Sequence, residues 1–390
     1  MSGKLAIAQL APIVESVPPK GYGGTELVVS LLTEELVKRG HNVTLFASGD
    51  SQTAANLVSV ADRALRLDND TPVTRWQAFD QRALLKLRQM QNQFDVIHNH
   101  MGYQALPFLS GLDCPVVTTN HNPVKDYNRD IYLTFKDMPY VSISDAYRRI
   151  NMPDDLNYVA TVYNGIDIDS FNFVDGNKER NYLLFIGRIC ADKGTAEAIE
   201  IARRKGYRIK VAGKVDSSDR PYFNEKIKPW LDDPDVQLIG EVNQAQKVEL
   251  YSNAYAVVYP INFDEPFGLV MAESLASGTP ILALDRGSVR EVLSDGETAV
   301  IGKTAVELME RFGELATIER VACRLRAQSL FSKERMTDGY EAVYHALRSQ
   351  KVKAAKSVSP ARAVFGLDTK LSLPTDPGDK QPDMLINANG

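Results

Sequence analysis

Two glutamates, Glu265 and Glu273, flank the segment of this chain that is best suited to bind an anion. Glu265 is followed by a short loop, and Gly268 stands where a helix is predicted to begin. The first turn of such a helix exposes the backbone N–H groups of Phe267, Gly268 and Leu269, and helix N-termini bind phosphate well. The segment therefore indicates a site for a phosphorylated ligand.

The same two carboxylates could also bind hydroxyl groups. Glu273 shares a helical face with Leu269 and Ala272 that should be buried, and a buried carboxylate needs a hydrogen-bond donor. The hydroxyls of a ribose are one such donor, and Glu265, ahead of the helix, could bind a hexose hydroxyl. The alternative is structural: Glu265 would cap the helix and Glu273 would pair with an arginine.

A loop with two cations follows the first strand that is predicted in the second half of the chain. It covers residues 187–194 and carries Arg188 and Lys193. Ligands of doubly wound sheets bind at the carboxyl ends of strands, so both cations could bind a diphosphate and stabilise its charge as it leaves. An ordinary solvated loop is the alternative.

Further candidates lie in the first half of the chain. Gly23 and Gly24 stand at a predicted helix start, where glycine permits close approach of an anion, although a plain loop explains them equally well. His121 follows a predicted strand and would face the cleft between the halves. Of the two histidines after another strand, we expect His98 to be packed and His100 to line the cleft. Without acidic partners at ligand spacing, these histidines predict no metal site.

The elements that must position these residues alternate between strand and helix. An apolar run at 4–11, an amphipathic stretch at 26–39 and a second apolar run at 42–47 predict a βαβ unit, which favours a parallel sheet. The alternation continues to about residue 150 and begins again near residue 181. Further strands are predicted at 95–98, 115–119, 140–143, 182–186, 208–212, 236–239, 255–259 and 280–284, and helices at 196–205, 245–252, 268–277, 289–293 and within 305–350.

The bulk properties are those of a globular protein with two domains. The chain has 390 residues and a net charge of −5, so it lacks the basic character of a nucleic-acid-binding protein. Cys114, Cys190 and Cys323 are widely spaced, which favours reduced thiols over disulfides or zinc. No apolar run reaches the roughly 20 residues of a membrane span. We therefore expect a cytoplasmic protein without a nucleic-acid partner, and peripheral membrane association stays open.

The candidate sites occur in the order found in the retaining glycosyltransferases of family 4, which this sequence resembles from about residue 4 to residue 345. EPFGLVMAE matches the E-x7-E motif of that family, and NGID, GRICADKG, ASGTPILA and RGSVREVLSDGETA also look like the family. The resemblance implies the GT-B fold, in which two Rossmann-like α/β domains face an interdomain cleft. Residues 1–170 would form the acceptor-side domain and 178–325 the nucleotide-sugar domain, while 326–350 would return to the first domain ahead of a tail at 351–390.

The resemblance also implies roles for individual residues. Four would be catalytic: Arg188 and Lys193 would bind the donor diphosphate, Glu265 the transferred sugar, and His121 would lie near the 6-hydroxyl of that sugar. Glu273 would bind the ribose hydroxyls. Backbone groups would complete the substrate site, with Phe267, Gly268 and Leu269 at the sugar and phosphate, Gly23 and Gly24 at the diphosphate, and Gly240 and Glu241 at the base.

The reaction implied by the resemblance is hexosyl transfer of the EC 2.4.1 type, with glucose from UDP-glucose as the leading expectation. The acceptor would be a glycan or a lipid-linked molecule, the anomeric configuration would be retained, and the setting would be polysaccharide biosynthesis. The family needs no metal ion and no cofactor besides the UDP-sugar donor. A UDP-sugar epimerase of the same fold and a non-catalytic nucleotide-sugar-binding protein remain alternatives. The absence of G-x-G-x-x-G after the first strand argues against a nucleotide-linked dehydrogenase.

Overall fold

The computed structural model describes residues 3–21, 23–152, 154–174 and 179–357, which form two α/β halves. The first half contains a sheet of seven parallel strands in the order β3-β2-β1-β4-β5-β6-β7. The central strands are almost entirely buried, as expected for a parallel sheet with helices on both faces. The strands are β1 (Ala6–Leu10), β2 (Asn42–Ala47), β3 (Asn56–Ser59), β4 (Val96–Asn99), β5 (Val116–Asn120), β6 (Tyr140–Ser142) and β7 (Tyr158–Thr161).

The second half repeats this architecture with six parallel strands in the order β10-β9-β8-β11-β12-β13. The strand order of each sheet reverses beside its first strand, which is the arrangement of a doubly wound, Rossmann-like fold. The two predicted Rossmann-like halves are thus confirmed. The strands are β8 (Tyr182–Ile186), β9 (Arg208–Ala212), β10 (Val236–Gly240), β11 (Ala256–Tyr259), β12 (Ile281–Leu284) and β13 (Ala299–Gly302).

Helices form the connections between the parallel strands, because such strands need crossovers that return to the same end of the sheet. The first crossover helix begins at Gly24, within the predicted glycine pair. The helices are α1 (Gly24–Lys38), α2 (Trp76–Met90), α3 (Leu106–Leu109), α4 (Asp126–Thr134), α5 (Asp145–Ile150), α6 (Thr195–Arg204), α7 (Arg220–Tyr222), α8 (Gln244–Asn253), α9 (Leu269–Ala276), α10 (Val289–Val292), α11 (Ala305–Glu310), α12 (Arg320–Leu330) and α13 (Lys333–Ser357).

The last helix, α13, packs against the first half of the chain although it follows the second half in sequence. Its residues Met336, Tyr340, Val343, Tyr344 and Leu347 are buried in one cluster with side chains from β1 and α1. These positions recur every three to four residues, so they form one apolar face of the helix. α13 therefore forms part of the hydrophobic core of the first half. Cutting the chain between the two halves would remove that part of the core.

Ion pairs hold α13 in this position. Arg39, which follows α1, lies 2.7 Å from Asp338 and 2.6 Å from Glu341. The helix continues to Ser357, past the start of the predicted tail at residue 351. From residue 358 onward, that tail lies outside the described residues.

Glycines allow close approach where the carboxyl ends of β8, β9 and β10 meet. The N–H of Gly187 donates to Ala212 at 3.0 Å, and the N–H of Gly213 donates to Gly240 at 2.8 Å. A Cβ added at Gly213 would lie 1.7 Å from the carbonyl oxygen of Gly187, and φ at Gly213 is +151°. No side chain fits at position 213, so glycine there is required for the close approach of Gly187, the first residue of the loop that carries Arg188.

Replacing Gly213 with alanine should therefore lower the free energy of unfolding by at least about 3 kcal/mol, because strain and a backbone clash add together. Urea denaturation measures this loss. Gly206 is a matched control, since its φ is +73° and an added Cβ meets nothing within 4 Å. The Gly206→Ala variant should lose only about 1–2 kcal/mol from left-handed strain. Equal losses in the two variants would contradict the steric argument.

Candidate active site

A cavity of about 490 Å³ lies between the two halves of the chain. It is bordered by segments that follow β5, β8 and β11, so it lies where the carboxyl ends of both sheets face each other, as expected for this class of fold. Nine of the predicted site residues line it, namely Gly23, Gly24, His121, Arg188, Lys193, Glu265, Phe267, Gly268 and Leu269.

A smaller cavity of about 310 Å³ adjoins the first and shares Gly23, Gly24 and Arg188 with it. The predicted residues Glu241 and Glu273 line this smaller cavity. Gly240 is not among the described residues that line either cavity. Its carbonyl oxygen instead accepts the N–H of Gly213 at 2.8 Å. All the other predicted site residues border one of the two connected spaces.

Glu265 is held at the larger cavity by two side-chain partners. Only 7% of its surface is exposed. Its Oε2 atom lies 2.9 Å from Lys193 Nζ and accepts a hydrogen bond from the Tyr259 hydroxyl at 2.5 Å. The Lys193 ammonium also lies 4.6 Å from the centre of the Phe263 ring. Lys193, which was predicted to bind phosphate, therefore orients the Glu265 carboxylate. The two side chains form an ion pair at the cavity.

The carbonyl groups of the loop between Glu265 and α9 accept hydrogen bonds from neighbouring segments of the chain. The carbonyl oxygen of Glu265 accepts the N–H of Ser288 at 2.9 Å, and that of Phe267 accepts the Ser288 hydroxyl at 3.0 Å. The Ser144 hydroxyl, from the first half, donates to Pro266 O at 2.6 Å. These bonds fix the loop ahead of α9, where the first backbone N–H groups of the helix have no partner within it.

Glu273 lies one helix turn inside α9 and is only 4% exposed. One of its oxygens lies 2.5 Å from Lys247 Nζ, and the other accepts the Tyr251 hydroxyl at 3.0 Å. An ion pair of Glu273, which was the structural alternative to ribose binding, is therefore present, with a lysine from α8 in place of an arginine. Lys247 lines the smaller cavity together with Glu273, so this pair stands at the wall of a space that a ligand can enter.

Arg188 borders both cavities and forms ion pairs with two acidic groups. Its guanidinium lies 3.6 Å from Asp216 and 3.6 Å from Asp219, and about a third of the side chain is exposed. The Lys214 ammonium donates to Asp216 and is the main reason that the pKa of this carboxyl is lowered. Arg188 is thus a cation that a diphosphate could engage.

His121 borders the larger cavity, and a second histidine lies behind it. His121 Nε2 is 2.9 Å from His100 Nδ1. The expectation that His100 lines the cleft is wrong, because His100 is only 3% exposed and packs against His98, with ring centres 3.8 Å apart and ring planes tilted by 41°. His98 is packed, as expected. Burial lowers the pKa of His121 to about 4, so its imidazole is neutral near pH 7.

Two family models match consecutive parts of this chain, from residue 22 to residue 318. The model of "Glycosyltransferase Family 4" matches residues 22–170, and that of "Glycosyl transferases group 1" matches residues 168–318. Together they cover every described strand except β1, and they include all of the predicted site residues. The chain is a glycosyltransferase of the GT-B type.

Relatives of this glycosyltransferase support the same assignment. It is 26% identical over 319 residues to a phosphatidyl-myo-inositol mannosyltransferase of Mycobacterium tuberculosis, covering 75% of this chain and 81% of that enzyme. The fold is similar to that of sucrose-phosphate synthase from Thermosynechococcus elongatus, with a TM-score of 0.75, 17% identity, and 89% and 100% of the two chains covered. It is also similar to that of Anabaena HepE in complex with UDP and glucose, with a TM-score of 0.65, 15% identity, and 90% and 99% covered.

Sequence reasoning missed several residues of this glycosyltransferase site, among them Tyr259, Lys247 and Tyr251. Tyr259 ends a predicted strand whose carboxyl end points at the site, so its position was a usable signal. Lys247 and Tyr251 lie on α8, a helix of mixed polarity whose sequence gives no sign of a ligand. Both become relevant only because α8 packs beside α9 and brings them to Glu273.

Two further properties concern the residues that the structure describes. Within that part of the chain, no group of three or more His, Cys, Asp or Glu side chains is arranged to hold a metal ion. None of the helices there combines the length and the apolar composition that a membrane crossing requires.

Proposed function

We propose that this glycosyltransferase moves a hexose from a UDP-sugar to a hydroxyl of a glycan or lipid-linked acceptor, with retention of the anomeric configuration. UDP-glucose is the first candidate donor, and the enzyme would act in the cytoplasm in polysaccharide biosynthesis. One observation carries the proposal. Glu265 borders the larger cavity, Glu273 borders the smaller one, and the start of α9 lies between them.

In this arrangement, the uridine, the diphosphate and the hexose of a sugar nucleotide would each bind at a different part of the site. The smaller cavity would take the uridine, with Glu273 accepting hydrogen bonds from the ribose hydroxyls. The diphosphate would lie at the first N–H groups of α9, where the helix dipole favours negative charge. The larger cavity would take the hexose beside Glu265 and leave room for an acceptor. HepE, which has a similar fold, binds UDP and glucose, and this supports the choice of donor class.

Arg188 and Lys193 would stabilise the diphosphate as it departs. In the proposed step, the bond between the anomeric carbon and the phosphate oxygen breaks while a bond to the acceptor oxygen forms on the same face. The acceptor proton passes to the departing phosphate oxygen, so no protein base is needed. Cations placed where charge develops lower the barrier because they need no reorganisation during the reaction.

The first half of the chain supplies charged side chains to the cavity that Glu265 also lines. Glu15, Glu26 and Arg66 line the larger cavity, and Glu15 forms an ion pair with Arg66. Glu26, in the first turn of α1, is only 6% exposed, and burial raises its pKa. A polar wall of this kind suits the hydroxyl groups of a sugar better than an acyl chain. We therefore propose that a hydroxylated part of the acceptor binds here.

Glu26 also tests the proposed mechanism, because it is a carboxylate at the cavity that could act as a nucleophile. The Glu26→Gln variant keeps a hydrogen-bond acceptor of the same size. We expect kcat at saturating acceptor to fall by no more than about tenfold, since one hydrogen bond is weakened. Loss of a true nucleophile would cost about 10⁴-fold or more. A loss of that size, with a glycosylated wild-type enzyme visible by mass spectrometry, would replace the same-face mechanism with a covalent one.

The proposed function is tested by a screen of UDP-, ADP- and GDP-sugars for binding by calorimetry. The donor that binds is then incubated alone and with a panel of glycosides and lipid-linked glycans, and the products are examined by ¹H NMR. We expect slow hydrolysis without acceptor and transfer with retained configuration when an acceptor is present. An epimerised donor in the absence of acceptor would indicate an epimerase. Tight binding without turnover for any acceptor would indicate a binding protein.

A further inference from the structure

A buried chain of hydrogen bonds connects His121, at the larger cavity, with the last helix of the chain. Behind His121, the Nε2 atom of His100 lies 2.8 Å from Gln9 Oε1, and Gln9 Nε2 donates to the Tyr344 hydroxyl at 3.1 Å. Gln9 and Tyr344 are completely buried. The cavity is thus linked through the middle of β1 to α13.

The chain of hydrogen bonds continues from Tyr344 across the sheet. The Tyr344 oxygen is 2.6 Å from His98 Nδ1, and His98 Nε2 is 2.7 Å from Thr119 Oγ1. Thr119 Oγ1 lies 3.0 Å from the Tyr340 hydroxyl, where the network ends. Every member has a hydrogen-bond partner, which is the condition under which a buried polar network rigidifies its surroundings.

The direction of these hydrogen bonds follows from the amide of Gln9. A neutral imidazole has one donor and one acceptor nitrogen, and burial lowers the pKa of His98, His100 and His121. Since the amide nitrogen of Gln9 donates to Tyr344, its oxygen must accept from His100 Nε2. His100 Nδ1 is then an acceptor, so the proton between the two histidines belongs to His121 Nε2. Nδ1 of His121 is left with a lone pair.

We propose that Gln9 is a positioning residue that sets the tautomer of His121 through His100. In this tautomer His121 offers an unprotonated Nδ1, which accepts a hydrogen bond from a hydroxyl of the donor sugar. The identity of that ligand rests on the proposed function, whereas the tautomer does not. Gln9 is well suited to this role because its amide is the one group in the network with a fixed donor end and a fixed acceptor end. If the oxygen and nitrogen of the Gln9 amide exchanged places, the donor and the acceptor of each hydrogen bond between Gln9 and His121 would also exchange.

The tautomer can be measured on the ligand-free wild-type protein by ¹⁵N NMR with labelled histidine. We expect His121 and His100 both to carry their proton on Nε2, with Nδ1 unprotonated. The His121→Gln variant assigns the His121 signals. A His121 protonated on Nδ1 would overturn the proposal. Because the measurement needs no substrate, its result is independent of whether the donor is a UDP-sugar.

Variants on α13 separate positioning from simple packing. Tyr344→Phe removes the acceptor of the Gln9 amide, so both tautomers of His121 should become populated. The value of kcat/KM for the donor should then fall in proportion to the fraction of the competent tautomer, by about twofold if the two tautomers are equally populated. Tyr340→Phe is the matched control, since it loses a buried hydroxyl from the same helix but leaves the Gln9 amide engaged. We expect this control to keep both the wild-type tautomer of His121 and the wild-type kcat/KM.

Gln9→Met should mix the tautomers as Tyr344→Phe does, because it removes both ends of the amide at nearly constant volume. Equal losses of activity in the Tyr344→Phe and Tyr340→Phe variants, with an unchanged His121 tautomer in both, would show a structural role only and overturn the proposal. If Gln9→Met does not fold, the wild-type spectrum and the tyrosine pair still decide the question.

Discussion

Replacing Lys193 with alanine is expected to lower kcat by about 10²- to 10³-fold while weakening the binding of UDP by less than tenfold. The reason is that a cation aimed at a departing diphosphate acts mainly in the transition state, where one such group contributes about 3–4 kcal/mol. The structure adds a second contribution. Lys193 is 2.9 Å from Glu265, so its loss also frees the carboxylate that would hold the sugar.

Steady-state kinetics and titration with UDP measure the two quantities separately. Lys205 provides a matched control, because its ammonium also lies over an aromatic ring, Phe312, at 5.9 Å but borders neither cavity. Lys205→Ala should leave kcat unchanged. A Lys193→Ala variant with normal turnover, or one in which kcat and UDP affinity fall equally, would remove Lys193 from the chemical step.

Replacing Glu273 with alanine is expected to weaken UDP binding by about 10- to 100-fold, since hydrogen bonds to a charged group contribute about 1.5–3 kcal/mol. A more specific expectation concerns the affinity for 2′-deoxy-UDP relative to UDP. Wild-type protein should bind UDP more tightly than its 2′-deoxy analogue, whereas Glu273→Ala should bind the two almost equally. Calorimetry with both nucleotides measures this ratio directly and does not depend on the identity of the sugar or the acceptor.

The Lys247 pair makes a control necessary for this second prediction. Because Glu273 lies 2.5 Å from Lys247, its loss leaves a cation without its partner and could disturb the smaller cavity indirectly. Lys247→Met breaks the same pair from the other side but keeps the carboxylate. It should lower stability and still discriminate between the two nucleotides. If Lys247→Met loses that discrimination as fully as Glu273→Ala, Glu273 acts by organising the cavity and not by binding ribose.

Most strands of the fold were predictable because each is specified by a short stretch of sequence. Tyr182–Ile186 and Arg208–Ala212 have the predicted bounds, since a short apolar run between turn signals can be satisfied by a buried parallel strand. The strands that prediction missed are β3, β7 and β13, all of them at sheet edges. An edge strand is formed by pairing with one neighbour, and most side chains of β3 and β7 are not buried. The four residues of β13 are buried, but a run of four apolar residues is too short to distinguish a strand from a buried helix segment. The existence of an edge strand is therefore decided by the sheet that it joins.

The sequence by itself determined the local chemistry of this protein: a loop and helix start that can bind an anion, two carboxylates eight residues apart, and cations on a loop at a strand end. Only the tertiary structure decided their partners. Glu273 bonds to a lysine 26 residues away, and Gln9 bonds to Tyr344, 335 residues away. Hydrophobic periodicity specifies which face of an element is buried, but not which buried faces meet. Those contacts follow from the packing of the two sheets and α13, and they orient Glu265, Glu273 and His121 at the cleft.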